Sequence, residues 1–366
     1  MIAFLLATFL INFLVECFSF YDLNKPFEEN IQSNYQFDVA QIKPPPINKS
    51  HERDFLGYRI ATPLGIPACA VMTSNGIEIA SKLGFSVFTY KTIRSKQVKA
   101  FEVPNICFVE CNEHVDRSHI GKQFIAHNNP TESLKEIAIC NSIGNACPDL
   151  KWVKEDIKKA RSSLNDRQVL IVSVFGQGED LQSTAFDFGC TAQSAVQAGA
   201  QIIELNLSCP NIHQDFYYKS VKAVAQITQK VCSMVKVPVI IKVGIFNNKE
   251  HMREVFKAAA AAGAKGICGI NSVPVRAINP ETKKPFFGTS RIVSGLSGAP
   301  IRNAAKEFIK NACEIIKEEK LDLVILATGG ITQPEHFQEF LNAGATIAMS
   351  ATGFMWNPYI AIDFFK

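Results

Sequence analysis

The sequence is short of the features that define several large protein classes. Lys plus Arg number 38 against 34 Asp plus Glu, an excess of four positive charges, which is too little to grip a phosphate backbone by counterion release. A nucleic-acid partner is therefore not expected. No CxxC pair and no HExxH occurs, so zinc and iron–sulfur ligation lack a framework and no bound metal is expected. No apolar run reaches the roughly 20 residues of a membrane-spanning helix; Met1 to Val15 stops at Glu16. No Lys or Arg precedes Lys25, so the basic start of a secretory signal is missing. A GxGxxG opening a helix, the mark of a dinucleotide-binding open sheet, is also absent.

The eleven cysteines are an odd number spread from Cys17 to Cys313. That scatter favours reduced thiols and a cytoplasmic setting over a disulfide framework. Residues 1–20 read as a hydrophobic segment, a candidate membrane anchor or interfacial helix, with a signal or an incidental start as alternatives. Residues 21–54 turn polar and proline-bearing (KPPPINKS) and read as a linker or arm. The remainder, 55–366, reads as one folded domain.

In that domain short apolar runs alternate with helical stretches, the pattern of parallel strands covered by helices. Eight strands are expected: Ile66–Met72, Ser86–Lys91, Val169–Val174, Ile202–Asn206, Val239–Val243, Gly266–Asn271, Leu323–Ala327 and Thr346–Ser350. Gly84, Gly199, Gly263 and Gly344 precede every second one, each able to stop a helix in the left-handed conformation. This punctuation predicts an α/β fold, a closed (β/α)8 TIM barrel, with an open sheet as the alternative. Chemistry then belongs at the carboxyl ends of the strands.

Those ends carry polar residues that core packing does not demand. Lys242 stands in VPVIIKVGIF, where an ammonium is costly unless it meets an anion or several acceptors; a lysine snorkelling from the strand end is the plain alternative. ATGGI (Ala327–Ile331), the Ala351–Thr352 turn and SGLSGAPIR (Ser294–Arg302), read as a glycine-rich turn opening a helix, cluster backbone N–H groups where barrels bind phosphate. Cys209, in ELNLSCPNI, could serve as base or acid, or be a buried structural thiol. Asn206 and Asn211 flank it with amides suited to a planar ligand bearing carbonyl and N–H groups.

Assembled in order, YKTIR (Tyr90–Arg94), CNSIGN (Cys140–Asn145), ELNLSCPN (Glu204–Asn211), IKVG (Ile241–Gly244), GINS (Gly269–Ser272), SGLSG (Ser294–Gly298) and ATGGI resemble the dihydroorotate dehydrogenase family over residues 55–366. The resemblance implies an FMN-containing barrel that oxidises dihydroorotate to orotate in pyrimidine synthesis. It implies Cys209 as the base, and Asn141, Asn206, Asn211, Asn271 and Ser272 as contacts to the pyrimidine substrate. It implies Ala70, Lys91, Thr92, Asn206, Lys242, Gly298, Gly329, Gly330, Ala351 and Thr352 as the FMN site. A cysteine base resembles the class 1 enzymes, whereas a hydrophobic amino terminus resembles class 2. Fumarate, a quinone or a partner subunit all stand as electron acceptors, and a homodimer and a membrane contact through residues 1–20 are further expectations.

The chain departs from the family pattern at Cys69–Ala70–Val71, where Val71 is expected near the flavin edge, and in IHQDFYYKSV, which lacks the usual lid residues. Reduction of free uracil or thymine, as in dihydropyrimidine dehydrogenase, is the alternative activity. Less favoured are a tRNA dihydrouridine synthase, for which no RNA-binding domain follows the barrel, and a flavin-binding pseudoenzyme.

Overall fold

The computed structural model describes residues 21–33, 43–130, 133–209 and 216–366. The barrel strands are β1 (Leu64–Ile66), β2 (Val87–Arg94), β3 (Val169–Phe175), β4 (Ile202–Asn206), β5 (Val239–Lys242), β6 (Gly266–Gly269), β7 (Val324–Thr328) and β8 (Ile347–Met349). Each pairs in parallel with the next and β8 returns to β1, closing the barrel. The expected (β/α)8 architecture is the one observed. Gly84, Gly199, Gly263 and Gly344 all have φ between 98° and 113°, as a helix stop before a strand requires.

Helices α1 (Ser74–Ser81), α2 (Leu150–Ser162), α3 (Leu181–Ala198), α4 (Val221–Met234), α5 (Lys249–Ala261), α6 (Arg302–Glu318) and α7 (Glu335–Asn342) follow β1 to β7 in turn. Two short helices, Thr352–Trp356 and Ile360–Phe364, follow β8. Side chains fix several helix starts: Asp149 accepts from Lys151 and Trp152 N–H, Ser220 from Ala223 N–H, and Asn248 from His251 N–H. Inside the barrel Ile171, Ile202, Ile240, Leu326 and Ile347 form an apolar plug. Phe55 and Ile60, from the hairpin Arg53–Phe55 and Tyr58–Ile60, join it beside Val87 and Val169, the first residues of β2 and β3. The hairpin thus floors the amino end and leaves the carboxyl end open for a site.

Three expectations need correction. The first strand ends at Ile66 rather than continuing to Met72, because Pro67 has no N–H to extend the ladder and Cys69 turns into the left-handed region at φ 85°. Ser294–Gly298 is a strand, not a turn; only Ala299 and beyond are helical. It belongs to a second, five-stranded closed sheet with Ile106–Val109, Gln123–His127, Ala138–Asn141 and Val273–Ile278, built from the insertions after β2 and β6 and not foreseen from the sequence. Of the stretch read as an arm, Tyr21 and Phe27 are buried against the barrel at 2% and 1% exposure. Among the described residues no helix is long and apolar enough to cross a membrane. The anchor expectation concerns residues 1–20, which lie outside the described residues.

One buried carboxylate ties α1, β2 and α2 together. Asp156 accepts from Ser74 N–H (2.8 Å), Ser74 Oγ (2.5 Å) and the Tyr90 hydroxyl (2.7 Å). Burial, then the Asp156 charge, pushes the Tyr90 phenol well above its ordinary pKa, so it remains a donor. Asp156→Ala is expected to leave these donors unpaired and to cost about 1–3 kcal/mol, read as a lower unfolding temperature by calorimetry.

Candidate active site

The open end of the barrel holds one cavity with about 1150 Å³ of space, its mouth included. Cys209, Asn141, Asn206, Asn271, Ser272, Ala70, Lys91, Thr92, Lys242, Gly298, Gly329, Gly330, Ala351 and Thr352 all line it. Asn211 lies outside the described residues. Residues spread over more than 280 positions of the chain therefore converge because strand ends converge.

The local chemistry follows from the strands. Lys91 and Thr92 are neighbours, and in a regular strand one of them would face away. A register shift between Tyr90 and Ile93 against β3 lets both line the cavity. Lys91 Nζ donates to Ala146 O at 2.7 Å and stands 4.9 Å from the centre of the Phe27 ring. Thr92 Oγ1 accepts from Asn206 Nδ2 at 3.0 Å and meets Ser173 Oγ at 3.0 Å. These contacts fix the Asn206 amide from β4.

Asn271 donates through Nδ2 to both the carbonyl and the hydroxyl of Ser208, at 3.0 Å each, and accepts from Ser272 N–H at 2.8 Å. It therefore clamps the residue before Cys209 to the loop after β6. Cys209 is 8% exposed and borders the cavity. From the second sheet, Asn141 donates to Gly295 O at 3.1 Å, so that sheet roofs the site and contributes an amide to it.

Lys242 pairs in register with Asn206 on one side and Cys268 on the other, all three in one layer. Burial works to lower its pKa; the neighbouring charges, the Glu204 carboxylate foremost, more than reverse this and the net shift is upward. The site thus keeps a cation where the apolar strand would reject one. Elsewhere on the cavity lining Gly298, Gly329 and Gly330 sit at φ 100°, 121° and 87°. A Cβ on Gly330 would come within 2.5 to 2.7 Å of Arg302, including its backbone, and one on Gly298 within 2.1 Å of Ile137 O. At Gly298 and Gly330 bare backbone is the only wall that fits.

Val71 is not at the cavity. It is fully buried in the core, and the left-handed turn at Cys69 presents Cys69 and Ala70 instead. Sequence reasoning also missed Tyr21, Asn145 and Ser297 as lining residues. Asn145 and Ser297 fall within the quoted CNSIGN and SGLSG motifs, whereas Tyr21 carries no local signal. The Tyr21 hydroxyl donates to Asn105 Oδ1 at 3.2 Å, pinning the amino-terminal stretch onto the second sheet. Tyr21→Phe is expected to cost about 0.5–1.5 kcal/mol and to raise protease cleavage near residue 21, read by mass spectrometry after limited digestion.

Comparison with known proteins follows the same lines. The family model described as Dihydroorotate dehydrogenase matches residues 125–364. The chain belongs to the dihydroorotate dehydrogenase family. A dihydroorotate dehydrogenase of Dictyostelium discoideum is 37% identical, covering 93% of this chain and 95% of its own length. The catalytic subunit of a dihydroorotate dehydrogenase B (NAD(+)) of Methanocaldococcus jannaschii is 30% identical over 66% of this chain and 73% of its own. A dihydroorotate dehydrogenase A (fumarate) of Lactobacillus delbrueckii subsp. bulgaricus is 30% identical over 59% and 66%. The fold is matched by the crystal structure of a dihydroorotate dehydrogenase from Eimeria tenella in complex with ferulenol, with a TM-score of 0.69, 17% identity, and coverage of 89% of this chain and 86% of that one. Membership makes the chain an oxidoreductase acting on a CH–CH group.

Proposed function

We propose that this chain oxidises dihydroorotate to orotate with FMN as its cofactor. The observation that carries the reading is a single cavity uniting a thiol, four amides, a buried lysine and a glycine cradle, in a chain whose relatives bear that activity in their names. The residues fit FMN: Gly298 and Gly330 leave backbone where a side chain would clash, and Gly329 beside them adds another position without a side chain, a surface suited to phosphate oxygens. In this reading they hold the phosphate together with Ala351 and Thr352. Ala70, Lys91, Thr92, Asn206 and Lys242 surround the ring system. Bound there, FMN would supply the two-electron acceptor for the hydride of carbon 6.

The chain's own work is proton transfer, orientation and charge. Cys209 acts as the thiolate: its Sγ takes the proton from carbon 5 and becomes the thiol, leaving the C–H electron pair to form the new C=C bond. Asn141, Asn206, Asn271 and Ser272, with Asn211, orient the pyrimidine and its carboxylate. The clamp from Asn271 to Ser208 holds the backbone from which Cys209 projects. Lys242 offsets the negative charge that develops during turnover. Ile106, Ile139, Ile143 and Ile270 complete the wall with apolar surface, which strengthens each of these interactions by excluding water.

The test is anaerobic addition of dihydroorotate and dihydrouracil, in parallel, to the purified yellow protein. Bleaching by dihydroorotate alone is expected, because dihydrouracil lacks the carboxylate. Reoxidation by fumarate, a quinone or NAD then identifies the acceptor. Bleaching by dihydrouracil alone would move the activity to free pyrimidine bases, and bleaching by neither would overturn the reading.

A further inference from the structure

The most enclosed carboxylate among the described residues has no part in the scheme above. Glu204 is 0% exposed; neither of its carboxylate oxygens meets strict hydrogen-bond geometry with any described group, and the Cys268 thiol is a hydrogen-bonding neighbour that falls short of it. An ionised carboxylate so enclosed is costly unless another charge answers it. Its place in the barrel supplies one. Glu204 pairs in register with Ile240, and the next inward positions on the same two strands are Asn206 and Lys242, which also pair. Glu204 thus lies one layer beneath the lysine at the cavity floor, in the otherwise apolar interior formed by Ile202, Ile240 and Leu326.

The groups that face Lys242 come from several elements: Glu204 on β4, Cys268 on β6, Cys69 after β1 and Cys209 after β4. Lys91 on β2 shares the cavity wall but spends its ammonium on Ala146 O. The Cys268 thiol is held well above its ordinary pKa by burial first and the Glu204 charge second, so it stays protonated. Glu204 is the one carboxylate among these partners.

We propose that Glu204 is a positioning residue for the reaction: from beneath the cavity floor its carboxylate holds Lys242 in the charged form, and so fixes the charge that the site presents to the reacting groups. The inference rests on the flavin reading of the cavity and asks for a readout other than turnover. It is tested by the midpoint potential of the bound flavin, measured against pH for the native protein and for Glu204→Gln. The variant's line is expected to bend at lower pH than the native line, because Lys242 loses its proton earlier once Glu204 is neutral. Adding Lys242→Arg should remove the bend, since a guanidinium keeps its charge across the range.

Superimposable lines overturn the inference, and so does a uniform offset without a bend, which would make Glu204 a fixed background charge. Should Glu204→Gln not accumulate folded, Glu204→Asp takes its place, with a smaller bend in the same direction expected and an unchanged line again overturning. Native protein that stays colourless after reconstitution with FMN would remove the flavin reading. Yellow native protein with superimposable lines would remove the role of Glu204 alone.

Discussion

Cys209→Ala is expected to slow flavin bleaching by dihydroorotate about 10²- to 10⁴-fold, the range associated with a positioned general base, while leaving flavin content and unfolding temperature close to native. The two halves of this expectation come from different parts of the site. In the proposed reading flavin retention rests on the glycine wall, built from the loops after β6 and β7. The rate depends on Sγ, which the Asn271 clamp on Ser208 aims from the end of β4. Cys209→Ser separates base strength from position. A hydroxyl in the same place is far less acidic than a thiol and should recover activity only at raised pH, seen as a shift of the pH–rate profile to the alkaline side. Stopped-flow absorbance at the flavin band measures both variants. Native bleaching rates in Cys209→Ala would show that the proton leaves carbon 5 by another route.

Much of this architecture was legible because the chain repeats one local grammar. A glycine stop followed by a short, largely apolar stretch marks β2, β4, β6 and β8, and the left-handed φ values at Gly84, Gly199, Gly263 and Gly344 explain why no other residue serves as well there. Polar residues at the strand ends were conspicuous against this apolar pattern, and Lys91, Asn206, Lys242 and Thr352 all reach the one cavity. The second sheet was not legible. Its strands are four to six residues long, pair both parallel and antiparallel, and join segments far apart, such as Arg276 with Gln123 and Gly295 with Asn141. No periodicity within a window reports a pairing across 150 positions. The same limit hid Tyr21, whose role depends on contact with Asn105. Val71 was misjudged because one positive φ at Cys69 exchanges which side chain faces inward, and a cysteine gives no warning of that conformation.

Alanine substitutions along the glycine wall should separate the site from the scaffold by degree. Gly329→Ala meets only side-chain atoms, Ala305 Cβ and Ile270 Cγ1 at 3.1 Å, which can give by a few tenths of an ångström. Its main cost is the left-handed backbone at φ 121°, about 1–2 kcal/mol for a residue with a Cβ. Gly330→Ala carries the same backbone cost and also drives its Cβ against Arg302 N and Cα at 2.7 and 2.6 Å, the backbone at the start of α6. Overpacking of that kind adds about 1–3 kcal/mol, and relief requires α6 to move away from β7. Because both elements border the proposed phosphate site, Gly330→Ala is expected to abolish flavin retention through gel filtration. Gly329→Ala should retain flavin more weakly than the native protein. Gly298→Ala, with its Cβ 2.1 Å from the carbonyl of Ile137, should fail earlier still, since it parts the two paired strands of the second sheet that join Gly298 to Ala138. Absorbance ratios of flavin to protein, read beside calorimetric unfolding temperatures, test the order. Equal flavin retention in Gly329→Ala and Gly330→Ala would show that the cofactor does not rest on this wall.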